Sequence, residues 1–120
     1  MDTSLITWTI ECTIDPADLP QVQQLAEDLS HLCLHEEPDT HGYEWSVDPT
    51  GTTVHIFERY ADSAAAMLHI RLFEERFAER FHALLQPQRV MLIGDPSDEL
   101  LASLAGLSPL VLRPLVGFHR

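Results

Sequence analysis

Lysine is absent from this 120-residue chain, and its permanent cations are seven arginines. Against 19 acidic residues they leave a formal net charge of −12. A phosphate backbone is bound by Lys and Arg side chains that release its counterions, so this balance argues against a nucleic-acid partner. It argues equally against docking on anionic lipid. No apolar run approaches the roughly 18 residues that a membrane span requires. The opening "MDTSLITWTIECTID" has no basic n-region and no small-residue cleavage site, so no secretory leader is expected. Cysteine is scarce too. Cys12 and Cys33 sit in apolar patterns without a CxxC spacing, which fits buried, reduced thiols in a cytoplasmic protein. No phosphate-binding loop, GxGxxG, nucleophile elbow or catalytic Cys–His signature occurs. His31 and His35 stand at i, i+4, but "HLCLH" lacks the acidic residue of an HExxH, so no metal site is expected.

What is present is a clear alternation of elements. Residues 5–14 place Ile6, Trp8, Ile10, Cys12 and Ile14 on one face and Thr7, Thr9, Glu11 and Thr13 on the other, the period of a half-buried strand. "DPAD" opens a helix, with Asp15 as N-cap and Pro16 in the first turn. Val22, Leu25, Ala26, Leu29, Leu32 and Cys33 form its apolar stripe. Pro38 disfavours helix at Glu37 and ends it. Tyr43, Trp45 and Val47 mark a second strand, "DPTGT" a hairpin turn, and residues 53–60 a third strand. In that third strand Val54, Ile56, Glu58 and Tyr60 share one face, and His55, Phe57 and Arg59 share the other. Asp62 caps a second helix with a stripe of Ile70, Phe73, Phe77, Phe81 and Leu84, broken by "QPQ". "RVMLIGD" reads as a fourth strand. A short helix follows, with Ser97 as N-cap and Gly106 as its stop, and then an apolar strand that Pro114 confines to an edge.

The order β-α-β-β-α-β predicts an α+β, ferredoxin-like arrangement with a C-terminal helix and extra strand. One domain is expected over residues 1–120, with a core of 5–95 and an extension of 96–120. Two helices cover only one face of such a sheet, and a second copy is the simplest cover for the other. Arg59, on that second face, is expected in the dimer contact. Glu58 lies on the apolar face, where a carboxylate is costly unless paired. An arginine from a neighbouring element is the expected partner.

The segments "EEPDTHGYEWSVDPTG" and "VHIFERYADSAAAMLHIRLF" resemble the antibiotic biosynthesis monooxygenase superfamily. The matching positions are Glu37-Pro38, Gly42-Tyr43-Glu44, Asp48, Glu58-Arg59-Tyr60, Asp62, Ala65, Ala66, His69 and Phe73. The resemblance implies a dimeric α+β barrel and, for the chemistry, cofactor-independent oxygenation of a small electron-rich aromatic such as a quinol. It implies His69 as base or proton shuttle, Tyr60 and Glu58 as orienting groups, and Trp8, Trp45 and Phe73 as walls of a substrate pocket. No cofactor is implied. The alternatives are a non-catalytic dimeric module that binds a small apolar ligand or forms an assembly, and a haem-binding or haem-degrading protein. For the last, the ligating histidine of that branch would fall near Phe77, with His82 more than a turn away.

Overall fold

A computed structural model describes residues 4–120; the reading of the N-terminus above rests partly on residues 1–3, outside that range. The elements are β1 (Ile6–Thr13), a 3-10 turn (Pro16–Asp18), α1 (Leu19–Glu36), β2 (Thr40–Val47), β3 (Thr53–Tyr60), α2 (Ser63–Arg76), α3 (Ala78–Leu84), β4 (Gln86–Ile93), α4 (Asp98–Leu104), a second 3-10 turn (Ala105–Leu107) and β5 (Leu110–Leu112). The sheet order is β2-β3-β1-β4-β5. All neighbours are antiparallel except β4 and β5, which are parallel. The first four strands make the ferredoxin-like arrangement expected from the sequence. β5 adds to its own chain's β4, with Met91 opposite Leu110, and ends before Pro114 can remove a ladder donor.

The helices lie on one face of the sheet. Against them β1 turns Ile6, Trp8 and Cys12, and β3 turns Val54, Ile56, Glu58 and Tyr60. Ile56 and Leu25 belong to one buried cluster under α1 and α3. Tyr60, Ala66 and Leu100 belong to a second under α2 and α4. On the opposite face, the Arg59 Nε donates to Thr7 Oγ1 at 3.2 Å, and the guanidinium lies 5.3 Å from the Phe57 ring centre.

Four local expectations are corrected. Asp15 does not cap α1; its carboxylate accepts from the Ala17 N–H and opens the 3-10 turn. Pro20 has no N–H and fits only a first turn, so α1 begins at Leu19. The second helix is two helices, broken at Phe77 (φ −129°, ψ −15°). The break turns Phe81 into an aromatic cluster, 5.3 Å from Phe73 and 6.1 Å from Trp45 by ring centres. Burial of Phe81 and Leu85 offsets the interrupted helix. "QPQ" ends α3 but also begins β4, with Pro87 beside the bulge at Glu11/Cys12, where a missing ladder donor is tolerated. Gly106 is not the stop of α4. The helix tightens into a 3-10 turn, and Ser108 takes the left-handed conformation (φ 47°, ψ 56°) just before Pro109.

Gly94 closes β4 at φ +144°, where a Cβ would stand 2.6 Å from the Leu5 carbonyl oxygen. Backbone is the obstacle, so the neighbour cannot swing away. Gly94→Ala is expected to destabilise the fold by ~1–3 kcal/mol in urea titration. A midpoint equal to that of the parent chain would show the strand end free to rearrange.

Candidate active site

Pro38 ends α1, and Glu37 before it leaves helical dihedrals (φ −127°, ψ 77°) while its N–H still bonds the Cys33 carbonyl. That turn buries the Glu37 carboxylate. Its neighbour Glu36 stays exposed and pairs with Arg76 at 2.8 Å. His69 projects from α2 toward the same point. Its Nδ1 stands 3.0 Å from both oxygens of Glu37, and its Nε2 stands 3.2 Å from Glu58 Oε1 on β3. The Tyr60 hydroxyl donates to Glu58 Oε1 at 2.5 Å, and the Thr40 hydroxyl donates to Glu37 Oε1 at 2.7 Å. Cys33 Sγ lies 3.6 Å from His69 Nδ1. The result is a buried chain of polar groups running Thr40, Glu37, His69, Glu58, Tyr60, drawn from α1, β2, β3 and α2.

Burial by itself would raise the pKa of Glu37, but the His69 hydrogen bond and charge, with the Thr40 hydroxyl, more than offset it and the net shift is downward. Burial by itself would lower the pKa of His69; the Glu37 hydrogen bond and the charges of Glu58 and Glu37 reverse this and raise it. Glu58 is raised chiefly by desolvation, against the opposing charge of His69 and hydrogen bonds from Tyr60 and Trp8. The consistent state is an ionised Glu37 holding a His69 imidazolium, whose two N–H groups face the two carboxyl groups, with Glu58 the proton-exchanging member. Burial also raises the thiols, Cys12 to about 12 and Cys33 further, so both are inert as nucleophiles.

A cavity of about 210 Å³ opens between the sheet and α2–α4. Glu58 and His69 face it, among walls of Trp8, Ile56, Phe73 and Phe81. Of the residues singled out from sequence, His69, Glu58, Trp8 and Phe73 therefore converge on one space. Tyr60 stands behind Glu58 rather than in the wall. Trp45 is a correction: it lies beyond Phe81 and lines a separate shallow cavity with Leu19, Val22 and Val47. The expected arginine partner of Glu58 is also corrected. His69 and Tyr60 take that place, because the arginines of α2 and α3 point outward to Glu75, Glu36 and Asp28. Sequence reasoning missed Glu37 and Tyr43 as site neighbours; the Tyr43 ring lies 5.5 Å from that of His69. The stripe of Ile70, Phe73 and Phe77 is half-buried rather than core, because the cavity lies in front of Ile70 and Phe73. His31 and His35 are exposed, with ring centres 4.2 Å apart. Among the described residues, the group that could hold a metal ion is instead Cys33, Glu37 and His69, with donor atoms within 4.8 Å of one another. The hydrogen bonds within the trio already account for its geometry.

No protein-family model and no curated protein matches this chain. Solved structures do. MupZ from Pseudomonas fluorescens is 22% identical, with a TM-score of 0.84 over 97% of this chain and 94% of that one. A candidate antibiotic biosynthesis monooxygenase from Bacteroides thetaiotaomicron is 21% identical, with a TM-score of 0.63 over 79% and 90%. Another from Caulobacter crescentus is 16% identical, with a TM-score of 0.53 over 88% and 77%. The likeness to MupZ extends through the C-terminal extension, because 97% coverage leaves almost nothing of the chain out. The chain has the ferredoxin-like α+β fold of the antibiotic biosynthesis monooxygenases.

Proposed function

We propose that this protein is an enzyme that moves a proton to or from a small, mostly apolar substrate held in the cavity. Its specific reaction in this reading is cofactor-independent oxygenation of an electron-rich aromatic such as a quinol. The observation that carries the reading is Glu58: a buried carboxyl with a raised pKa, facing an apolar space and backed by His69 and Tyr60. A base is most effective when its pKa lies near the working pH, and burial moves a carboxyl in that direction. Glu58, as its carboxylate, takes the phenolic proton, and the His69 imidazolium, 3.2 Å away, holds that carboxylate in place through its Nε2–H. Tyr60 orients the carboxyl, while Trp8 and Phe73 hold the ring and exclude water. The substrate anion then reacts with dioxygen itself. The likeness in fold to structures named for such monooxygenases supports this choice.

A second reading is oxygen-independent acid–base chemistry on the same substrate class. It is favoured by the raised pKa of Glu58, which stabilises the protonated carboxyl and so suits it to donate a proton as well as accept one. In either reading a second copy covers the open sheet face, where Phe57 and Met91 are half-buried and Ile93 is exposed.

Turnover of a panel of quinols and naphthols, followed by an oxygen electrode and by product analysis under air and argon, separates these readings. Oxygen uptake that falls ~100-fold or more in Glu58→Gln and in His69→Gln is expected. Product formed under argon would assign the oxygen-independent reaction. Equal turnover in the parent chain and both variants would remove the pair from the chemistry. Sedimentation at micromolar concentration is expected to show a dimer, and a monomer would leave the open face without its cover.

The same pair sets a pH dependence of stability. The raised pKa of His69 contributes stability that is whole below its ordinary 6.5 and is lost as pH rises through the folded value. Glu58, raised above 4.5, acts in the same sense from that lower starting point. Glu37, lowered below 4.5, contributes above that value and loses it as pH falls through the folded one. The melting temperature should therefore be highest near pH 4.5 and decline as pH rises, first through the folded value of Glu58 and, above 6.5, through that of His69. In His69→Gln the alkaline decline should flatten; an unaltered slope would place its origin elsewhere.

A further inference from the structure

The residues around the cavity sort by exposure. Glu58, His69, Trp8 and Ile56 are buried and form its floor. Glu74, His82, Ser103, Gly106 and Leu107 are exposed and form its mouth. One lip of that mouth comes from α2 and α3. The other is the end of α4 and the 3-10 turn after it, which belong to the C-terminal extension. This lip is held at both ends. Ser97 caps α4 through the Leu100 N–H at 3.1 Å, Leu100 and Leu104 are buried beside Trp8 and Tyr60, and β5 pairs with β4 beyond the turn.

Gly106 is unusual in this setting. Among the described glycines it alone has neither a positive φ nor an atom within 4 Å of where a Cβ would stand. Neither backbone nor packing requires glycine there, and in a helical turn alanine is more favourable. What the missing side chain leaves is open space at the mouth.

We propose that the C-terminal extension forms the entrance to the cavity and that Gly106 sets its width, which makes Gly106 a determinant of ligand size. The proposal rests on the reading of the cavity as a ligand site. A dry cavity of ~150 Å³ accepts one benzene ring. The cavity here, at about 210 Å³ and open at one end, suits a one- or two-ring ligand whose apolar part lies against Trp8 and Phe73. Its polar group would then meet Glu58. A side chain at position 106 narrows the passage without touching the floor.

Calorimetric titration with phenol and with naphthol tests this in the parent chain and in Gly106→Ala, Gly106→Leu and Ala105→Leu. Ala105 is exposed in the same turn and lies outside the cavity lining, so it is the control for the turn itself. Gly106→Leu is expected to weaken naphthol about tenfold or more while phenol changes less than about threefold, with Gly106→Ala between. The Gly106 variants should melt at or above the temperature of the parent chain, and Ala105→Leu close to it, which separates a narrowed entrance from a damaged fold. Unchanged naphthol binding in Gly106→Leu, an equal loss in Ala105→Leu, or an equal loss of both ligands would overturn the proposal and leave the cavity reading standing. Failure of both ligands to bind the parent chain would overturn the cavity reading and this one with it.

Discussion

The imidazole of His69 between two buried carboxyl groups is the constraint around which the rest is arranged. Glu37 is delivered by the end of α1, His69 by α2 and Glu58 by β3, so three elements meet at one side chain. Removing three ionisable groups from water is expensive, and their mutual attraction offsets the cost only if the remaining hydrogen-bonding positions are filled. Thr40 fills one on Glu37 and Tyr60 one on Glu58. Breaking a single member would leave a charge buried and unpaired, which is why the cluster pins α2 at this height above the sheet.

The cavity follows from that pinning and from side-chain size along α2. At its start Ala65 and Ala66 are small and buried, and the helix packs closely on Tyr60 and Trp8. One turn beyond His69 the side chains are large, and Phe73 meets Phe81 edge to face. A straight helix would carry Phe81 away from that contact, and the break at Phe77 brings it back. Between the close and the wide end a space remains, with largely apolar walls, the carboxyl and imidazole at its floor, and Glu74, His82 and Ser103 at its mouth. Arg76 and Arg80 are occupied on the outer surface by Glu36 and Asp28, so neither turns inward to neutralise Glu58.

Much of the architecture was legible because it rests on local rules. Alternation in β1 and β3, the Asp62 cap accepting from the Ala65 N–H, and the Ser97 cap are decided by near neighbours in the chain. The reading failed where one local rule met another. Pro20 displaced the start of α1 from the Asp15 cap, and the pull of an aromatic cluster overrode helix continuity at Phe77. At the site, His69, Glu58, Trp8 and Phe73 were all visible as candidates, but Glu37 was not. Pro38 in "HEEPD" marks Glu37 as the residue that leaves the helix, but no local pattern says which of Glu36 and Glu37 is buried.

The sequence by itself determined the elements, their order and the apolar faces, since periodicity and capping act over a few residues. It also determined that Glu58 would need a partner, because an ionisable group on an apolar strand face cannot remain alone. Only the tertiary structure decided that the partner is an imidazole rather than a guanidinium, that Trp45 falls outside the cavity, and that the C-terminal extension forms its lip. These depend on distances across the fold, from β3 to α2 for Glu58 and His69 and over longer stretches of chain for Trp45 and the extension. Such distances are set by how α1 and α2 pack on the sheet, and no local pattern encodes them.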